Sequence, residues 1–171
     1  MSDPCDLSAI DAREQIEKKQ LSPLELVDSC IARIEAVDGR LNAMVATCYD
    51  RARDEAVMAE KAVMQGLALG PLHGLPLGVK DLNVTKGLRT TFGSELHANF
   101  IPDSDERIIA DLRQAGAIVL GKTNTPEFGA GANTTNWVYG ATGNPFDPAR
   151  ICGGSSGGSA VALACGMVPL A

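Results

Sequence analysis

Apolar and polar positions in residues 1–66 recur at the spacing of helices that bury one face. The first predicted helix runs from Leu7 to Lys19. Ser8 is its expected N-cap, and Asp11 is placed to complete a capping box.

Two further helices follow, each with its own start or stop signal. Ser22 precedes a proline at the first helical position, Glu25 lies three residues after the cap, and Gly39 marks the end. The third helix is predicted from Tyr49 to Gln65, with Gly66 as its stop. The apolar stripes are Leu24, Val27, Ile31 and Ile34 in the second helix and Ala52, Ala56, Ala59 and Val63 in the third.

From Gly70 onward the chain mixes turn formers with short apolar runs, which indicates an α/β layer architecture. We expect a helical lead-in at 1–66 and the start of an α/β core at 67–171, within one domain. The predicted strands are Leu77–Leu82, Ala117–Leu120 and the opening of one at Met167–Ala171. One predicted helix begins at Asp103 or Ser104 and ends at Gly116, and a further short helix is predicted to start with Asn124–Phe128. A last helix is predicted after the loop Gly153–Ser159. The stretch 137–150 is expected to be loop.

The composition of the 171 residues excludes several classes of function. The net charge is −6 with no basic stripe, and aromatic residues make up 4%, so direct nucleic-acid binding has little support. No run is apolar and long enough for a signal peptide or a membrane span, so a cytoplasmic, membrane-free setting is expected. The five cysteines and two histidines form no zinc pattern. We therefore expect neither a metal nor another cofactor.

The Gly/Ser stretch Gly153–Ser159 leads directly into an apolar, small-residue helix. A glycine-rich turn at a helix start gathers free N–H groups, which can hold an anion or the negative oxygen of acyl transfer. The alternative is a flexible linker, but linkers are seldom flanked by packed elements on both sides.

A second glycine motif, Gly116–Thr123, fits the phosphate-binding pattern G-x-x-x-x-G-K-[ST]. That chemistry needs the four middle residues to wrap as a loop. Here they are Ala, Ile, Val and Leu, which favour a strand, and a helix precedes them. We interpret the match as a coincidence of strand ends.

Lys80 lies in an apolar strand, where a lysine is not expected unless it faces a cavity or a partner. A lysine that burial keeps neutral can activate a serine such as Ser155, and serine–lysine pairs are a known variant of the hydrolytic triad. The alternative is a lysine that reaches solvent or pairs with a carboxylate such as Asp81.

Four motifs occur in order along the chain, and together they resemble the amidase signature family. They are Gly74–Leu82 (GLPLGVKDL), Gly121–Phe128 (GKTNTPEF), Gly143–Asp147 (GNPFD) and Gly153–Ser159 (GGSSGGS). The similarity runs from about Leu7 to Ala171 and would cover less than half of a full family domain. It implies an incomplete amidase signature fold, in which N-terminal helices precede part of a mixed sheet flanked by helices.

The resemblance also implies roles for individual residues. Lys80 matches the general base of a Lys–Ser–Ser triad, and Ser155 matches the middle serine, which follows a cis peptide bond and relays the proton. Ser156 matches a neighbouring serine that supports the loop, and we include it among the expected substrate-binding residues. The other expected pocket residues are Gly129, Ala130, Gly131 and Ala132.

The serine that attacks the carbonyl lies, in the family, in a second Gly-Gly-Ser motif at a distance from Ser155 that runs past Ala171. Ser159 matches no catalytic position. The expectation is therefore an amide hydrolase that works through an acyl-serine, with this chain carrying the base and middle serine but not the nucleophile. It would be inactive alone. The alternative is a non-catalytic, truncated relative that acts as a binding module.

The resemblance further implies a small-molecule amide substrate. A homodimer or a complementing C-terminal chain is an expected partner. Within the family, the amidase subunit of the tRNA-dependent amidotransferase more often has Met-Asp-Glu-Phe where this chain has Thr125-Pro126-Glu127-Phe128. That difference favours a stand-alone amidase.

Overall fold

The N-terminal helices begin at the capping signals that the sequence provides. A computed structural model describes residues 3–171. Helix α1 (Ala9–Glu17) is capped by the Ser8 hydroxyl, which accepts from the Asp11 N–H at 3.1 Å. Helix α2 (Pro23–Val37) carries the complete capping box of Ser22 and Glu25. The Asp11 carboxylate accepts from the Ser8 hydroxyl instead of the Ser8 N–H, so the box predicted for α1 is wrong.

Three central strands form a mixed sheet in the order β1-β3-β2. Strand β1 (Met44–Thr47) is antiparallel to β3 (Ile118–Thr123), and β2 (Pro76–Lys80) is parallel to it. Leu170 forms a parallel bridge to Leu77 at the free edge of β2, in agreement with the strand predicted to open there. The N-terminal helices and mixed sheet match the predicted architecture.

The register between β2 and β3 shifts once. Leu77 pairs with Val119 but Gly78 pairs with Gly121, so Leu120 is an extra residue in β3. Such a bulge turns the following side chains to the opposite faces. Lys122 consequently contacts the loop after β2, whereas Thr123 contacts the last helix of the chain.

The remaining helices and a separate pair of short strands follow. They are α3 (Tyr49–Met64), α4 (Arg107–Gln114), the short pair β4 (Thr135–Asn136) and β5 (Gly140–Ala141), and α5 (Gly157–Ala164). Single turns of 3-10 helix lie at Pro4–Asp6, Asp38–Arg40, Glu95–His97 and Glu127–Gly129.

The core has a larger and a smaller part. The larger part packs α1, α2, α3 and α5 against the sheet, and it buries the predicted stripe of α3. The smaller part lies beneath α4 and consists of Leu77, Val79, Leu88, Ile109, Ala117 and Val119.

Several predicted boundaries are wrong. Helix α4 begins at Arg107, because Glu106 uses its carboxylate to accept from the Val84 N–H and Asn83, and neither Asp103 nor Ser104 caps it. The short helix predicted to start with Asn124–Phe128 is only a 3-10 turn at Glu127–Gly129. Helix α5 begins inside the Gly/Ser loop, at Gly157.

Strand β1 was not predicted at all, and β3 extends three residues beyond Leu120. The 137–150 stretch is largely irregular, apart from the two residues of β5. Within residues 3–171, no helix combines the length and apolar character needed to cross a bilayer.

The capping box of α2 should contribute measurably to stability. Replacing Ser22 with alanine leaves the Leu24 N–H without the acceptor it has at 3.0 Å. We expect Ser22→Ala to lower the free energy of unfolding by about 1 kcal/mol in urea titrations. Ser104→Ala, at an exposed serine that caps no helix, is the matched control and should be neutral. Equal losses in both variants would contradict the assigned cap.

Candidate active site

Lys80 and the two serines of the Gly/Ser loop meet at the end of β2. Lys80 Nζ donates to Ser155 Oγ at 2.8 Å and to Ser156 Oγ at 2.9 Å. The lysine is half-buried, and burial lowers its pKa below the ordinary lysine value. Among residues 3–171, no carboxylate lies within ion-pairing distance of it. The contact therefore joins two hydroxyls to an ammonium group whose pKa is lowered by burial.

Asp81, the carboxylate next to Lys80 in sequence, is engaged elsewhere. It is fully buried and accepts from the Thr91 N–H at 3.1 Å and from Thr91 Oγ1 at 2.6 Å. Its nearest cation is Lys122, with Nζ 3.9 Å from Oδ1. Neither alternative for Lys80, solvent or Asp81, describes its observed contacts.

A cavity of about 280 Å³ opens beside Lys80 and Ser156. It lies between the edge of β2 and helix α4, and Lys80 is the only charged side chain in its described lining. The apolar lining keeps water from surrounding the ammonium group, which is the physical cause of the lowered pKa. The lining residues are Leu77, Gly78, Val79, Lys80, Asn83, Ile108, Ile109, Leu112, Ser156, Ser159 and Ala171.

Hydrogen bonds hold the Gly/Ser loop on both sides of Ser155. Thr134 donates to the Gly153 carbonyl from its N–H at 3.0 Å and from its hydroxyl at 2.8 Å. Thr125 Oγ1 donates to the Ser155 carbonyl at 3.2 Å. The Gly154–Ser155 peptide bond is cis, as the resemblance implied. The loop is therefore a constrained turn and not a flexible linker.

The close packing of helix α5 against the end of β3 positions this loop. A Cβ at Gly158 would clash with the backbone of Asn124, and one at Gly157 would clash with Thr134. Ser159 is buried, and its hydroxyl shares a 2.7 Å hydrogen bond with Thr123 Oγ1. The absence of side chains at 157 and 158 lets the first turn of α5 approach β3 and carries Ser155 and Ser156 to Lys80.

The predicted pocket residues at 129–132 do not share the cavity of Lys80. Ala130, Gly131 and Ala132 are exposed and line a separate cavity of about 630 Å³, together with Glu127 and Trp137 among others. Gly129 lies at the start of this loop, with a positive φ of 71°. The loop of this cavity packs against the Gly/Ser loop, because a Cβ at Gly154 would meet the backbone of Ala132 and Asn133. Binding of an acyl group at 129–132 remains a prediction.

Lys122 is a functional candidate that the sequence reasoning missed. It is fully buried in β3, and desolvation lowers its pKa to about 8. The sequence analysis considered Lys122 only as part of a phosphate-binding motif. The signal that could have identified it is a lysine two residues after the predicted apolar strand Ala117–Leu120. Three of the four middle residues of that motif, Ile118–Leu120, do lie in a strand, whereas Ala117 precedes it.

One cluster among residues 3–171 brings possible metal-ligating atoms of three residues together, at Asp3, Cys5 and Asp6. Arg33 already pairs with Asp6 at 2.9 Å, so this carboxylate has a cationic partner. The expectation that the protein needs no metal stays a prediction.

Substitution at Gly158 should separate α5 from β3. We expect Gly158→Ala to lower the free energy of unfolding by about 1–3 kcal/mol, because its methyl group meets backbone that cannot rotate away. Gly39→Ala is the control, since a Cβ there has no neighbour within 4 Å. Thermal melting of both variants tests this, and a Gly158→Ala protein as stable as Gly39→Ala would contradict the close approach.

The ionisation of Lys80 can be measured directly. We expect NMR of lysine-labelled protein to show that the pKa of Lys80 is lower in the folded chain than in the same chain unfolded by urea, because burial disfavours the charged form. Lys80→Ala assigns the resonance. An unchanged or higher pKa on folding would rule out the desolvated environment.

Comparisons with known proteins identify the family of this chain. The family model described as Amidase matches residues 25–171. A glutamyl-tRNA(Gln) amidotransferase subunit from Alkaliphilus metalliredigens (strain QYMF) is 41% identical over 96% of this chain and 34% of its own length. The chain thus spans about a third of the length of the curated relatives it matches.

Solved structures show the same partial correspondence. A bacterial aryl acylamidase of the amidase signature family superimposes with a TM-score of 0.88 at 37% identity, covering 95% of this chain and 34% of that one. A fatty acid amide hydrolase superimposes with a TM-score of 0.92 at 26% identity, covering 97% of this chain and 29% of that one. Together with the family model, these matches show that the chain belongs to the amidase signature family.

Proposed function

We propose that this chain supplies the base and the proton-relay serine of an enzyme that hydrolyses carboxamides through an acyl-serine intermediate. The observation that carries the proposal is the hydrogen bond from Lys80 Nζ to Ser155 Oγ, at 2.8 Å. A lysine serves as a general base only when it is neutral, and the half-buried, carboxylate-free setting of Lys80 favours the neutral form.

Proton transfer would run along the contacts that Lys80 makes. Neutral Lys80 accepts the Ser155 hydroxyl proton, and Ser155 in turn accepts the proton of the attacking serine as that oxygen bonds to the amide carbon. The protons return along the same path to the nitrogen of the leaving group. The C–N bond then breaks, and ammonia or an amine departs. Water attacks the acyl-serine by the same route to release the carboxylate.

We propose that the attacking serine lies outside the sequence of this chain. Ser156 accepts from Lys80 but, as the residue before α5, fits a supporting role for the loop. Ser159 is buried at the edge of the cavity, and its hydroxyl is hydrogen-bonded to Thr123, which fits a packing role. The cavity beside Lys80 borders Ala171, next to the Leu170 bridge at the edge of β2.

The acyl group of the substrate would occupy the neighbouring cavity at 129–132. Its loop has small side chains, and the backbone of Ala132 and Asn133 packs against Gly154, the residue before Ser155. Trp137, Asn133 and Glu127 also line the cavity and would contact the part of the substrate remote from the amide.

The test is amide turnover by the protein that contains this chain, measured on a panel of aliphatic and aryl carboxamides. We expect Lys80→Ala to lower kcat by about 10²–10⁴-fold, because the base of the acylation step is removed. Lys86→Ala, at an exposed lysine of the following loop, is the matched control and should retain activity. Full acylation by Lys80→Ala at neutral pH would overturn the assignment of the base.

The alternative is a non-catalytic relative that binds amides, for which we expect binding without turnover. A protein that binds a carboxamide by calorimetry but releases no carboxylate, with or without Lys80, would support it.

A second candidate function is that of an amidotransferase component. The 41% identity to the glutamyl-tRNA(Gln) amidotransferase subunit from Alkaliphilus metalliredigens favours it, whereas Thr125-Pro126 in place of Met-Asp favours a stand-alone amidase. Turnover of simple amides by the isolated protein would support the stand-alone enzyme. Turnover that requires glutamyl-tRNA(Gln) and other subunits would support the amidotransferase.

A further inference from the structure

A buried polar network lies behind Lys80, on the face of the sheet away from Ser155. Its centre is Lys122, which is fully buried in β3. Lys122 Nζ donates to the Asn83 carbonyl, to Thr85 Oγ1 at 3.0 Å and to Thr90 Oγ1 at 3.1 Å. All three acceptors belong to the loop that follows β2.

The anionic side of the network is Asp81. Its carboxylate lies 3.9 Å from Lys122 Nζ and accepts from the N–H and the hydroxyl of Thr91. Glu106 and Asp105, at the start of α4, add to the negative potential at Lys122. The three hydrogens of the Lys122 ammonium group have acceptors in Asn83, Thr85 and Thr90, and these carboxylates supply the negative charge around it.

Residues of the network make backbone hydrogen bonds to Lys80 and to the residue paired with it, Thr123. The Asn83 N–H donates to the Lys80 carbonyl at 3.0 Å, and the carbonyl of the same Asn83 accepts from Lys122. The Asp81 N–H donates to the Thr123 carbonyl at 2.9 Å. Lys80 thus lies at the junction of β2 and a tight turn that Lys122 closes from behind.

We propose that Lys122, paired with Asp81, is a positioning residue that holds Lys80 in reach of Ser155. The inference rests on the proposed function, because it assigns Lys122 a part in the same proton transfer. Lys122 does not touch the reacting atoms. It fixes the turn through Asn83, and the turn fixes the direction in which the Lys80 side chain leaves β2.

A purely structural role is the competing explanation. Buried ion pairs are weak contributors to stability, and well-packed apolar residues often replace them without loss. A lysine held by three acceptors in one loop is more specific than packing requires, since it selects a single conformation of that loop.

The decisive variant replaces both charges, Lys122→Met with Asp81→Asn, so that the net charge near Lys80 is unchanged. Turnover of a carboxamide by the protein containing this chain is measured as a function of pH. We expect kcat to fall by about 100-fold with KM nearly unchanged, the effect of displacing a reacting group by about 1 Å.

We also expect the acid limb of the pH profile to move to higher pH. Activity rises with pH as Lys80 loses its proton, and a Lys80 released toward water regains a pKa nearer the ordinary value. Lys122, whose pKa burial lowers to about 8, is a second lysine behind this turn, and Asp81, Asp105 and Glu106 lie around it. The double variant removes Lys122 and Asp81, so its acid limb reports on Lys80, the only charged side chain in the described lining of the cavity.

Val119→Ala is the matched control, at a buried apolar residue of the same strand outside the network. It should lower the melting temperature and leave the pH profile in place. A folded double variant with unchanged kcat and an unmoved acid limb would overturn the inference. If the double variant does not fold, Thr90→Val, which removes one acceptor of Lys122, must still shift the limb, and an unshifted limb overturns the inference.

The same assay separates this inference from the proposed function. Full activity in Lys80→Ala would refute the proposed function itself. Loss in Lys80→Ala together with full activity in the folded double variant would refute only the role of Lys122.

Discussion

The approach of helix α5 to the end of strand β3 is the contact on which the candidate site depends. Gly157 and Gly158 have no side chains at the point where the first turn of α5 meets Thr134 and Asn124. Lys80 is the last residue of the neighbouring strand β2, and Ser155 lies just before the cap of α5. The packing of α5 against the sheet therefore determines the distance between Lys80 and Ser155. Two packed elements hold such a distance more firmly than two loops would.

The sheet separates Lys80, on the face covered by α5, from the Asp81–Lys122 pair on the opposite face. Lys80 and Thr123 are paired in register, and Thr123 contacts Ser159 on the α5 side. Asp81 and Lys122 neutralise one another on the other side, together with the threonines of the following loop. Because Asp81 is occupied there, no anion among residues 3–171 pairs with Lys80, and burial lowers its pKa. The adjacent residues Lys80 and Asp81 thus serve two different environments.

The parts of the fold that the sequence predicted are those with local causes. The capping box at Ser22 and the small-residue stripe of α3 need only neighbouring residues, and both are present. Strand β1 was missed because its four residues take their strand geometry from pairing with β3. Helix α4 starts late because the carboxylate of Glu106 bonds to the turn after β2, a contact over more than twenty positions. The Lys80–Ser155 contact joins residues 75 positions apart. Residue chemistry therefore left it as one of two alternatives, and the family resemblance favoured it.

Lys122 shows why a motif can match a function that the fold does not perform. Gly121 is required because a Cβ there would lie 2.5 Å from the Ala46 carbonyl oxygen of β1. Lys122 is buried against the loop after β2, and Thr123 reaches the buried hydroxyl of Ser159. The bulge at Leu120 sends these two neighbouring side chains to the face where each has its partner. Each letter of the Gly-Lys-Thr string thus has its own packing reason within the sheet, and none of the three reasons involves a phosphate.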